Sequence, residues 1–243
     1  MTPSFVKRER LTADPAAVIA TLPAMGRLMI TAKNLGATHE RIGSIETVVS
    51  QDGWLIVGGA EHASRIDPAA IGEIIVDRTS VMGEQAYPRI DFKTRDDVVL
   101  FSVVGFAGLE PFDAALTPFE TGIELEVPEA APRGERGEVS ETDPGAVPFK
   151  AAIASALPIS ICFDRPGFHQ QWDGVVETVK PAMGFNNVMR ADFHLHLKAD
   201  AVSEWREEPA DAGVALVAFD ADGNRLGLSV VGAAAAFAEV AVS

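Results

Sequence analysis

The sequence predicts an α+β fold in which one antiparallel β-sheet unit, with helices packed on it, occurs twice. Three observations predict it. The tetrapeptide Ser-Val-Val-Gly appears at Ser102–Gly105 and again at Ser229–Gly232. Other matches precede it in the same order at nearly constant offset: Leu22-Pro23 with Leu157-Pro158, His39 with His169, and Glu46 with Glu177. Ordered matches at a fixed period are the mark of a duplicated segment. The third observation is the scarcity of long helical patterns between β-rich runs, which disfavours a parallel Rossmann-type sheet.

The strands follow from alternation and turn chemistry. "RLMITAK" and "ISICFD" are β-rich apolar runs at equivalent places, and "GWLIVGG" and "VVLFSVVG" are two more. In "DFHLHLK", Phe193, Leu195 and Leu197 share one face and Asp192, His194, His196 and Lys198 share the other. "GVALVAFDADGNRLGLSVVG" reads as a hairpin, because Asp-Gly suits a turn that needs positive φ. "RIDFKTRDDVVLFSVVG" is its counterpart, turning at "TRDD". Helices are short. "DPAAVIATL" begins with an Asp cap and a Pro at the first turn, and "FKAAIASAL" stands at the equivalent place later. "DPAAIGEII" and "DAVSEWRE" are expected as short helices in the middle of each unit. The expected division is residues 1–120, a linker over 121–148, and residues 149–243. The linker stretch Glu126–Pro148 is rich in Pro, Gly and Glu and too poor in large apolar residues to offset the entropy of ordering. Its Arg133 and Arg136 read as solvated.

Composition bounds the function. The chain has 243 residues and a formal charge of −15, which repels phosphate backbones and argues against nucleic acid as a partner. Its single cysteine, Cys162, permits no internal disulfide and lies in an apolar run, where it reads as a small buried hydrophobe. No stretch approaches the ~20 apolar residues of a membrane helix, and the N-terminal segment does not read as a secretion signal. A cytoplasmic protein without a membrane partner is expected. "GAAAAFAEVAV" suits either the core or a homodimer interface.

The segment "LPAMGRLMITAKNLGATHERIG", with Met25, Gly26, Asn34, His39, Glu40, Arg41 and Gly43, resembles the first repeat of the bacterial haem-utilisation family, the HemS/ChuS-type hemin-degrading or hemin-trafficking proteins. "FNNVMRADFHLHLKADAVSEW" and "LVAFDADGNRLGLSVVG" resemble its second repeat. The resemblance implies a haem cleft between two halves. It implies an iron-ligating histidine on the helix before the second repeat and an arginine from the first repeat on the other side. Arg89 matches the arginine. The matching helix, Pro148–Pro158, has no histidine, and the position falls on Phe149 or Lys150. The family's Leu-Arg-Leu-Phe strand is replaced by "SRIDPAAIGEII".

Haem needs an apolar slot, an axial donor and cations for its propionates. The remaining axial donors are His39, His62, His169, His194, His196, Tyr87, Cys162 and the methionines. His169, in a turn beside Trp172, is the substitute ligand of choice, with Arg89 and Lys150 as the other cofactor-binding residues. His194 and His196, two apart on one strand face with Asp192 extending the row, form a separate metal candidate. No phosphate loop and no nucleophile elbow occurs. The expectation is therefore a protein that binds haem or a related tetrapyrrole, with trafficking favoured over haem degradation because the family's histidine is missing. The rival expectation is the same fold used as a non-haem interaction or regulatory module.

Overall fold

A computed structural model describes residues 6–129, 137–211, 213–238 and 240. They divide into two compact units. The first comprises Met1–Ala32, Arg41–Pro132 and Pro166–Phe168; the second comprises Lys33–Glu40, Arg133–Arg165 and His169–Ser243.

In chain order the first half forms β1 (Arg8–Arg10), α1 (Pro15–Ile19), β2 (Arg27–Asn34), β3 (Ala37–Ser44), β4 (Thr47–Gln51), β5 (Trp54–Gly58) and β6 (Ala63–Ile66). It continues with β7 (Glu73–Asp77), β8 (Val81–Met82), β9 (Gln85–Ala86), β10 (Arg89–Lys93), β11 (Val99–Gly105), α2 (Leu109–Leu116) and β12 (Ile123–Glu124). The second half forms α3 (Val147–Ser155), β13 (Ile159–Arg165), β14 (Phe168–Gly174), β15 (Lys180–Ala182), β16 (Phe185–Met189), β17 (Phe193–Lys198), β18 (Glu204–Ala210), β19 (Gly213–Phe219) and β20 (Arg225–Gly232).

One pairing pattern occurs twice. In the first unit the order β7-β10-β11-β2 is antiparallel throughout, and in the second unit β18-β19-β20-β13 repeats it. The three-stranded run β4-β5-β6 likewise recurs as β15-β16-β17. Register carries the match to single residues. Thr31 lies opposite Ser102 as Cys162 lies opposite Ser229, so the repeated Ser-Val-Val-Gly marks equivalent strands.

The elements form for local reasons. Asp14 caps α1 by accepting from the Ala16 amide at 3.3 Å, and Pro15 opens the helix. In the β19–β20 hairpin Asp220 accepts from the amides of Asp222 and Asn224, and Gly223 takes φ 77°. Alternation in β17 buries Phe193, Leu195 and Leu197 and leaves His194 and His196 half-buried on the opposite face.

Each unit has its own aromatic core. In the first, Phe101 stacks on Phe92 at 4.5 Å and on Phe168 at 5.1 Å between ring centroids, and Phe112 is fully buried. In the second, Trp172 stacks on Phe193 at 4.9 Å, and Phe149 meets Trp205 edge-on at 6.3 Å. Each such ring contributes about 1.5–3 kcal/mol by leaving water.

Three expectations are corrected. "DPAAIGEII" is a 3-10 turn at Pro68–Ala70 followed by β7, because Asp67 caps only the Ala69 amide and Ile75–Asp77 pair on both sides, with β1 and β10. "DAVSEWRE" is a turn leading into β18, whose residues Glu204–Ala210 all pair with β19. A seven-residue ladder outweighs two helical turns. Pro209 is tolerated there because β18 ends the strand order. Finally, the end of the supposed linker is buried. Asp143 caps a 3-10 turn at Pro144–Ala146 through the Gly145 amide at 2.7 Å and also accepts from the Asp200 amide at 3.0 Å. Arg133 and Arg136 lie outside the described residues. At the chain's end Ala234–Phe237 forms a 3-10 turn with Ala236 and Phe237 buried.

Candidate functional site

The residues expected to hold a cofactor each have a polar partner. Arg89, in the first unit, pairs with Asp91 at 3.0 Å and with Asp77 at 3.8 Å. Lys150, on α3 in the second unit, donates from Nζ to the Glu141 carbonyl at 2.6 Å. His169, on β14, donates from Nδ1 to Asp164 Oδ1 at 2.7 Å across the β13–β14 hairpin. Its strand face also carries Gln171 and Asp173, joined by a hydrogen bond of 2.7 Å. The residues β14 presents on that face are polar or acidic.

Burial removes three further donors. His39 and His62 are buried and bonded to backbone carbonyls of Ile161 and Gly43. Cys162 is buried as expected, and burial first, then Asp164 and Asp173, pushes its thiol up to about 12. It remains a protonated thiol rather than a thiolate ligand.

His194 and His196 behave differently. Their common face of β17 is completed by Glu40, in the middle of β3, the strand next to β17 in the sheet. The ligand atoms of Glu40, His194 and His196 all lie within 4.8 Å of one another. Glu40 Oε2 is 3.4 Å from His194 Nδ1 and 3.7 Å from His196 Nε2. Burial pushes the Glu40 carboxyl up, but protons that the facing His194 and His196 rings direct at it pull harder and hold it down at about 2. Glu40 is therefore an anion at neutral pH. Asp192, expected to extend the histidine row, instead accepts from the Trp172 indole at 3.1 Å.

The orientation of His196 is set by Asn187 on the neighbouring β16. The Asn187 amide nitrogen reaches the carbonyls of Lys180, Ala182 and Phe185 at 3.1, 3.1 and 2.9 Å. Its oxygen is thereby turned to His196 Nδ1 at 2.6 Å, which must carry the proton. In the neutral ring Nε2 then presents its lone pair toward Glu40.

Glu40 and His196 also border an open pocket of about 490 Å³ within the second unit. Ala182, Met183, Phe185 and Met189 give it an apolar wall, and Lys33 and Lys180 bring two cations to it. Met183 and Met189 are exposed although apolar, at 61% and 47%. The β15–β16 turn, with Met183 at φ 56° and Gly184 at φ 82°, brings Met183 to one wall, and Lys33 and Thr38 of the β2–β3 hairpin line another. Sequence reasoning named the two histidines but missed Glu40 and the pocket. Their only sequence signals were the half-apolar "KPAMGFNNVM" and an acid following a buried histidine.

Among the described residues, no helix is long and apolar enough to cross a membrane. No protein-family model and no curated protein matches the chain. Solved structures do match. ChuS, an E. coli haem oxygenase, superposes with a TM-score of 0.74 at 18% identity, over 93% of this chain and 83% of that one. PhuS, a haem-binding protein from Pseudomonas aeruginosa, matches with TM-scores of 0.72 in its apo form and 0.73 in its holo form. Both are 19% identical over 93% of this chain and 82% of theirs. The chain thus has the fold of ChuS and PhuS, as its sequence pattern predicts.

Proposed function

We propose that the protein binds haem or a related tetrapyrrole in the open pocket of its second unit, and carries it rather than degrades it. The observation that carries this reading is the meeting in one pocket of three things a haem requires. Phe185, Met183 and Met189 supply apolar surface for a flat ring, Lys33 and Lys180 supply cations for its carboxylates, and His196 supplies a nitrogen donor. The donor set fits the group. His196 has Nδ1 tied to Asn187 and Nε2 left with its lone pair, the arrangement that raises the basicity of an iron ligand. The exposed methionines adapt to a large planar partner. Similarity to proteins described as a haem oxygenase and a haem-binding protein supports the same reading.

Bound haem iron would supply the redox chemistry of any ring opening. This chain's own residues are suited to binding: they offer an apolar surface, charge neutralisation and a single donor to the iron. The helix expected to carry the family's histidine has Phe149 buried in the core and Lys150 tied to Glu141, so neither replaces it. Trafficking is therefore favoured.

The test is a hemin titration followed at the Soret band. One saturable equivalent per chain is expected, with the band moved and weakened in His196→Ala and binding weakened in Phe185→Ala. A flat titration, or a saturable one indifferent to both substitutions, overturns the assignment and favours a non-haem interaction module.

A further inference from the structure

We propose that Glu40, His194 and His196 form a site for a free divalent first-row metal ion, Fe2+ or Zn2+, that is distinct from any haem iron. The inference stands apart from the tetrapyrrole reading, because it concerns the protein with no tetrapyrrole bound.

Spacing is the first argument. A hydrogen bond between nitrogen and a carboxylate oxygen spans about 2.7–3.2 Å. The separations from Glu40 Oε2 are 3.4 Å and 3.7 Å, longer than a well-formed hydrogen bond, so these contacts are loose ones. Two donors that each stand about 2.1 Å from one tetrahedral ion are themselves about 3.4 Å apart. The trio is thus spaced to share an ion.

Proton placement is the second argument. Asn187 fixes the proton of His196 on Nδ1, so Nε2 faces the Glu40 carboxylate lone pair to lone pair. Something positive belongs between them: a proton or a metal ion. Asn187 is itself locked by three backbone carbonyls, the kind of outer support that metal-bound histidines have.

The third argument separates this site from haem. Haem iron has four positions taken by its ring and accepts one donor from each side. Three donors converging from two adjacent strands suit an ion with no ring around it. Two imidazoles and one carboxylate are the donor set of three-ligand zinc and non-haem iron(II) centres, which keep further positions open. Glu40 and His196 also line the pocket. His194 does not line it, which makes it the residue that tells the two sites apart.

The experiment is a titration of the chelator-treated full chain with Co2+ as spectroscopic probe, followed by displacement with Zn2+. One equivalent with ligand-field absorption is expected. Glu40→Gln and His194→Ala should each weaken it about 10- to 100-fold, the usual cost of altering a metal's surroundings or more. His194→Ala should still take up hemin. Histidine-detected NMR on the unmodified chain gives a second readout that needs no variant, with His194 and His196 ring signals moving together on Zn2+ addition. No saturable binding, or binding unchanged in both variants with the ring signals still, would mean that the trio is an imidazolium–carboxylate cluster only, and the proposal fails.

Discussion

Gln170 donates from Nε2 to His39 Nδ1 at 2.8 Å, and both side chains are fully buried in the second unit. The two residues hold equivalent places in the duplicated hairpins, each three after the positive-φ glycine of its turn, Gly36 and Gly167. The bond fixes the tautomer of His39: Nδ1 accepts, so Nε2–H donates to the Ile161 carbonyl at 3.0 Å. The imidazole also packs against Phe193 at 4.8 Å. Gln170→Leu keeps the volume but takes away the donor to a buried acceptor. The expected cost is about 1–3 kcal/mol, read as a lower urea midpoint with an unchanged slope. An unchanged midpoint would show that the buried pair contributes nothing.

The same hairpin shows what was legible in the sequence. The duplication and most strands could be read, because alternation, Asp-Gly turns and recurring tetrapeptides are local signals. Matching His39 to His169 was off by one residue. An identical letter drew the match, whereas backbone geometry sets the true register through Gly36 and Gly167. The "DAVSEWRE" segment was misread because its pairing partner, β19, gives no local sign of its presence. Glu40 was hidden for the same reason. His194 and His196 announce a polar strand face, but only the placement of β3 beside β17 brings a carboxylate to it.

Buried His62, in the first unit, gives stability a pH dependence. Burial drives its pKa from 6.5 down to about 4; the Gly43 carbonyl opposes this and nearby Arg41 reinforces it. Nδ1 has no hydrogen-bond partner among the described residues, so a proton there would be stranded. Between pH 6.5 and pH 4 the unfolded chain binds this proton and the folded chain does not. Stability therefore falls as pH falls through that window and is recovered above it, by about 3 kcal/mol in total. His62→Gln should flatten the difference in urea-unfolding free energy between pH 7 and pH 4.5. If wild type and variant lose stability in parallel, His62 is not the group responsible.

Gly167 and Gly53 separate backbone strain from steric overlap. Both have positive φ, 86° and 83°. A Cβ at Gly53 would meet nothing within 4 Å, whereas one at Gly167 would lie 2.4 Å from the Ala70 Cβ. Gly53→Ala is expected to cost about 1 kcal/mol for the left-handed conformation alone. Gly167→Ala adds overpacking, and about 2–4 kcal/mol in all is expected. Thermal melts of the two variants check the order, and equal losses would refute the close approach.

The acidic surface makes the two pocket lysines informative. A chain with a formal charge of −15 repels a dicarboxylate tetrapyrrole at long range, so local cations must offset that repulsion. Lys33 and Lys180 are the cations at the pocket. Each exposed pair with a carboxylate is worth about 0.2–1 kcal/mol, so the double variant Lys33→Glu/Lys180→Glu should bind hemin roughly three- to tenfold more weakly or worse. The gap should narrow as salt is raised, since screening acts on exposed charges. Hemin dimethyl ester, whose propionates are uncharged, supplies the internal control: wild type and double variant should bind it nearly alike. A loss of equal size for hemin and for its ester would mean that the substitutions had altered the pocket's shape rather than its charge. The lysines would then have no part in recognising the carboxylates.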